Sequence, residues 1–284
     1  MKTQHFFKVA LAALALGLMF QGCSKEQEEQ FVAEPEQGAF TVRPDFATLD
    51  TRPESVKENF KLTDKHTAPV KLDESGEKGA KYALVIGISD YSGTSSDLQY
   101  CDDDAYDWRA RLQAEGYNVT IITDRYATKS AIESAVNTLA SRATAGNEIA
   151  FCYSGHGSNG NIVTTDLYYI SSSWFRTKFY YSASTKMMFC FDACQIGAMK
   201  TALNKTGRVV AVASNTTVYS YDGDASMRNG VFTYYQMRGF DYMGYTYLEP
   251  DCSYACTQMQ SWASARGLTV APSYADSYSG NFDL

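Results

Sequence analysis

Histidine is almost missing from this chain of 284 residues: only His5, His66 and His156 occur. A zinc site built on several histidines is therefore excluded, and no C-x-x-C pair supplies a cysteine alternative. Any imidazole chemistry in the folded part must fall to His156. Basic charge is also short. The formal net charge is −7 and Lys and Arg form no stripe, which argues against a nucleic-acid partner. The seven cysteines do not look like a disulfide framework. Cys152, Cys190 and Cys194 fall in or at the end of apolar runs, where free cysteine behaves as a small hydrophobe. Cys252 and Cys256, at i and i+4 on one helix face, are expected to pack rather than pair. There is no internal repeat.

The amino terminus reads as a targeting segment. Lys2 and Lys8 precede an apolar run, Val9 to Phe20, that is shorter than the about 20 residues of a membrane span and suits a secretory signal over residues 1–22. Phe20-Gln-Gly-Cys23 resembles a bacterial lipobox, which implies lipidation of Cys23 and a membrane anchor; an ordinary signal peptide is the alternative. Ser24-Lys-Glu-Gln-Glu-Glu29 resembles the short acidic signals that carry some bacterial lipoproteins to the cell surface. The expected location is the bacterial cell envelope, at the outer membrane or cell surface. Residues 23–80 are polar, charged and poor in regularly spaced apolar positions. Such a stretch cannot bury enough surface to offset its ordering entropy, so it reads as a tether or a pro-segment. In the pro-segment reading, its basic residues Arg43, Arg52, Lys57 and Lys78 would be the ones to reach an acidic pocket elsewhere in the chain.

Residues 81–284 suit one α/β domain. Lys81 to Ile88 is a continuous β-rich run, the mark of a strand covered on both faces. Further strands are expected at Val119–Asp124, Ile149–Ser154, Met187–Ala193 and Val209–Ala213, and a last one near Asn281–Leu284. Helices are expected over Asp102–Glu115, Ser130–Ala143, Asn229–Arg238 and Cys252–Arg266. A hairpin is expected near Ile162–Ile170 and a short helix around Trp174–Tyr181. Strand–helix alternation of this kind implies a mostly parallel sheet with right-handed crossovers.

Two of these strands end in reactive side chains beside glycine. One closes on Ser154-Gly-His156-Gly157, the other on Asp192-Ala-Cys194-Gln-Ile-Gly197. Ligands and chemistry in open α/β sheets collect at the carboxyl ends of strands, so an imidazole and a thiol are expected at the same sheet edge. A thiol with a pKa near 8.5 is only a few per cent thiolate at neutral pH; a nearby imidazole can take the proton. Acyl transfer also needs donors aimed at the developing oxyanion, and the backbone N–H groups of Gly157 and Cys194 are candidates.

These two elements together resemble the caspase-fold cysteine peptidases, with the metacaspase branch nearest. Its usual Asp-Ser-Cys-His-Ser-Gly stands here as Asp192-Ala-Cys194-Gln-Ile-Gly197. Leu98-Gln-Tyr-Cys101-Asp-Asp-Asp104-Ala105 is similar to a second metacaspase element, and Gly230-Val-Phe-Thr233 resembles a third. The resemblance implies a three-layer caspase-like fold, a mostly parallel six-stranded sheet with helices on both faces. It implies Cys194 as nucleophile, His156 as base, and an S1 pocket of Cys101, Asp104, Ser154 and Asp192. Two carboxylates there would select Arg or Lys at P1 of protein or peptide substrates, since a desolvated guanidinium needs a paired anion. Asp102 to Asp104 could instead serve only the helix start, and Cys101 could simply pack. Many metacaspases use calcium. Beyond the histidine this sequence offers Asp166, while Asp222 and Asp224 are acidic but not alignable to such ligands, so no cofactor and no firm metal site is expected, calcium with ligands the sequence does not identify being the alternative. A surface binding protein that keeps the fold without turnover, or a clostripain-like peptidase, are the rival readings.

Overall fold

The computed structural model describes residues 79–93 and 95–284. Cys23 and the expectations placed on residues 1–78 lie outside the described residues.

Strand β1 (Lys81–Gly87) is followed by helix α1 (Cys101–Ala114), β2 (Asn118–Thr123), α2 (Lys129–Arg142) and β3 (Glu148–Ser154). Three short strands, β4 (Gly157–Ser158), β5 (Asn161–Val163) and β6 (Tyr169–Ser171), form a small antiparallel sheet. Then come α3 (Ser172–Phe179), β7 (Lys186–Asp192), α4 (Gly197–Leu203), β8 (Arg208–Val212), α5 (Val231–Asp241), α6 (Leu248–Ser264) and β9 (Ser273–Asp276). The main sheet has the order β2-β1-β3-β7-β8-β9, parallel except for β9.

The strands read as unbroken apolar runs because both faces are covered. Alternate residues of one strand enter different cores. Leu84, Ile86 and Phe151 pack with Ile132, Val136 and Leu139 of α2 and with Phe175 and Met199. Ala83, Val85 and Cys152 pack with Trp108 of α1, Phe232 of α5 and Met259 of α6. Helices therefore lie on both sides, giving three layers. On the first side Phe175 meets Phe151 and Phe191 edge to face, with centroids 5.2 and 6.0 Å apart, a geometry that aromatic quadrupoles favour.

One expectation changes, and one helix is new. The last strand is Ser273–Asp276 at the sheet edge beside β8, not Asn281–Leu284. Phe282 and Leu284 bury in the second core instead, and Lys81 Nζ donates to Leu284 O at 3.1 Å. Helix α4 has no counterpart in the sequence reading, because seven residues span barely two turns and leave no periodic signal. Cys252 and Cys256 are both free thiols.

Candidate active site

Three parallel strands end level with one another. Gly87 of β1 is paired with Ser154 of β3, and Ser154 with Asp192 of β7. Each then turns into a segment that bears one of the expected functional groups.

After β3, the backbone of His156 is held by two tyrosines. Its N–H donates to Tyr91 Oη at 2.8 Å, and Tyr153 Oη donates to its carbonyl at 2.7 Å. The Tyr91 ring also lies against the imidazole, with centroids 4.5 Å apart. Nε2 is 2.6 Å from the carbonyl oxygen of Ser96. A carbonyl only accepts, so this contact puts a proton on Nε2, and in the neutral ring Nδ1 is then the basic nitrogen.

After β7, Cys194 comes directly against this segment. A Cβ built on Gly157 would stand 2.3 Å from the Cys194 carbonyl oxygen and 3.0 Å from Ala193 Cβ. Glycine is thus required by close approach. Gly155 N–H donates to Asp192 O at 3.2 Å, and Gly160 N–H to Gln195 O at 2.8 Å. The loops that carry imidazole and thiol are fastened along their length. The sulfur itself accepts the Ser220 N–H at 3.3 Å and can donate to the Ser220 carbonyl at 3.7 Å.

The expected pocket residues gather at the same edge. Helix α1 begins at Cys101 with three acids in its first turn, which suits the positive end of the helix dipole. It packs close because Gly87 has no side chain: a Cβ there would lie 2.0 Å from Cys101 O. Asp104, Ser154, Asp192 and Cys101 are all buried. Ser154 Oγ donates to Asp104 Oδ2; Asn229 Nδ2 and Gly230 N–H donate to Oδ1 at 3.0 and 2.9 Å. Asp192 accepts Ser220 Oγ on Oδ1 at 2.6 Å, and the N–H and hydroxyl of Thr233 on Oδ2 at 3.1 and 3.0 Å. Cys101 Sγ is 3.9 Å from Oδ1 of Asp222, a third buried carboxylate.

Tyr91, Ser96 and Ser220 were not foreseen, and Asp222 was seen only as an acid without a place. Tyr91 and Ser96 follow β1, in a stretch of no periodicity. Ser220 and Asp222 lie in an irregular loop after β8. None carries a local signal. The first of these loops is braced by Asp124, whose Oδ1 accepts the N–H groups of Ser89 and Asp90 at 2.9 and 3.1 Å. Burial, and next the nearby Asp102 carboxylate, push Asp124 up to about 7.

Asp166 braces the fold, accepting the first N–H of α2, from Lys129, at 2.8 Å. Asp224 is bound by the hydroxyl of Ser226, which lowers its pKa. Among the described residues, no three His, Cys, Asp or Glu side chains are arranged to hold a metal ion, and no helix is long and apolar enough to cross a membrane.

Comparison with known proteins agrees with this architecture. A crystal structure of protein GSU0716 from Geobacter sulfurreducens is similar in fold, with a TM-score of 0.55 at 14% identity, covering 72% of this chain and 97% of that chain. Curated protein sequences gave no significant match. The family model described as the caspase domain matches residues 80–261. That is well over half of the sequence, and the chain accordingly belongs to the caspase-domain family of cysteine peptidases.

Proposed function

We propose that the domain is an endopeptidase that cuts after Arg or Lys, with Cys194 as nucleophile and His156 as base. One observation supports this most: the segments bearing His156 and Cys194 touch backbone to backbone at Gly157, beside the buried carboxylates Asp104 and Asp192. In this reading Nδ1 of His156 takes the proton from Cys194 Sγ, and the sulfur attacks the scissile carbonyl carbon. The N–H groups of Gly157 and Cys194 receive the oxyanion. The C–N bond then breaks as the imidazolium returns its proton to the leaving amine. Water, deprotonated by the same imidazole, cleaves the thioester and restores the thiol.

Asp104 and Asp192, with Ser154 and Cys101, are the proposed lining of the P1 pocket. Burial there strips water from a guanidinium, so only a substrate cation that meets fixed carboxylates recovers the desolvation cost. Paired fluorogenic peptides with Arg, Lys, citrulline or Asp at P1 test this. Cleavage of the Arg peptide should far exceed that of the neutral isostere citrulline. Cys194→Ala and His156→Ala should each abolish turnover, and substantial activity in either pure variant removes the assignment.

We further propose that Cys23 is lipidated and fixes the enzyme to the bacterial envelope. Incorporation of an alkyne fatty acid into wild type but not Cys23→Ala tests this. Self-cleavage at Arg43, Arg52, Lys57 or Lys78 would make the leading segment a pro-segment. Identical amino termini in wild type and Cys194→Ala would leave it a tether.

A further inference from the structure

We infer that Ser220 is a positioning residue that ties the nucleophile to the P1 pocket, its backbone holding the Cys194 sulfur and its hydroxyl fixing that backbone on Asp192. The inference rests on the roles proposed above for Cys194 and Asp192.

The geometry is two-sided. Ser220 N–H points to Sγ at 3.3 Å, and Ser220 O lies 3.7 Å from it. The neutral thiol can donate to the carbonyl, while the thiolate accepts the N–H. The sulfur thus keeps a partner in both protonation states, and an N–H donor held against it favours the anion. The buried Ser220 hydroxyl donates to Asp192 Oδ1 at 2.6 Å. Asp192 is in turn fixed through Oδ2 by Thr233. The chain on either side of Ser220 is anchored as well. Val218 O accepts the N–H of Gln195 at 3.0 Å, and Asp222 accepts the N–H of Gln99 at 3.2 Å. A guanidinium that engages Asp192 therefore acts on the carboxylate that sets the thiolate's donor.

The test is the pH dependence of alkylation by iodoacetamide, read at Cys194 by peptide mass on the full chain. Ser220→Ala should raise the midpoint by about half a pH unit, a roughly threefold loss of reactive thiolate near neutrality. Ser220→Thr keeps the hydroxyl and should stay at the wild-type midpoint. Ser220→Gly also removes the hydroxyl, leaves the Asp192 charge in place, and should move the midpoint upward too. A purely structural role would lower the melting temperature and leave the midpoint alone. An unchanged midpoint in Ser220→Ala, or a shift in Ser220→Thr as large as in Ser220→Ala, overturns the inference. Should Ser220→Ala fail to fold, an unmoved midpoint in Ser220→Gly overturns it. If wild-type Cys194 reacts no faster than Cys256 at any pH, the nucleophile assignment itself falls, an outcome distinct from loss of the Ser220 link alone.

Discussion

Adding one methyl group at position 157 tests the geometry most sharply. In Gly157→Ala the new Cβ would sit 2.3 Å from the Cys194 carbonyl oxygen, whereas ordinary contact begins near 3.4 Å. The Cys194 backbone must then retreat by about 1.1 Å. Ala193 Cβ, at 3.0 Å, closes one direction of escape. A displacement of roughly 1 Å between reacting groups costs on the order of a hundredfold in rate, equivalent to about 2.7 kcal/mol of transition-state stabilisation. Overpacking of a tight site costs folding about 1–3 kcal/mol, so the variant should melt lower yet still fold. The assay is kcat/KM on an Arg peptide beside a thermal melt. A fall of about two orders of magnitude, carried mainly by kcat, is expected. A folded Gly157→Ala variant with activity close to wild type would refute the idea that this close approach aligns imidazole and thiol.

Other expectations concern the supports of the site and its titration. Tyr91→Phe keeps the ring against the imidazole but removes the acceptor of the His156 N–H. Leaving that buried donor unmet costs folding about 1–3 kcal/mol, so the variant should melt lower, and the less firmly held imidazole should lower kcat with KM little changed; equal kcat would dismiss the role. Asp124 is raised to about 7 in the folded chain, above the roughly 3.9 of an unfolded aspartate. Its contribution to stability is therefore complete below the unfolded value and is lost as pH rises through about 7. Melting of wild type should weaken over that window and melting of Asp124→Asn should be flatter; parallel profiles would contradict this. The same sign holds for Asp251, raised chiefly by burial, with no hydrogen-bond donor to either oxygen among the described residues. Asp251→Asn should therefore gain stability relative to wild type as pH increases, measured by denaturant midpoints. Finally, chelation of calcium should leave cleavage of the Arg peptide unchanged, and strict dependence would reveal a calcium site that the sequence motifs do not disclose.

Local order along the chain was enough for most of the architecture. Lys81 to Ile88 and Met187 to Ala193 announce buried parallel strands because every position, inward on either face, must be apolar. Trp108 and Leu112, or Ile132, Val136 and Leu139, announce helices because one stripe alone meets the sheet. His156 and Cys194 stood out because reactive groups beside glycine close two such runs, and Asp104 and Asp192 through resemblance. The edge strand was misplaced: Ser273–Asp276 is half-buried and only one of its sides is paired, so it carries little apolar pattern, while Phe282 and Leu284 mimic one.

The sequence by itself determined an α/β sheet and the two strand ends that bear a thiol and an imidazole, since burial on both faces and glycine beside a reactive residue are written locally. Only the tertiary structure decided that Ser220 meets the sulfur, that Tyr91 and Ser96 hold the imidazole, and that Asp222 joins Cys101. Those contacts link positions from 26 to 121 residues apart, and hydrogen bonds between irregular loops leave no periodic trace along the chain.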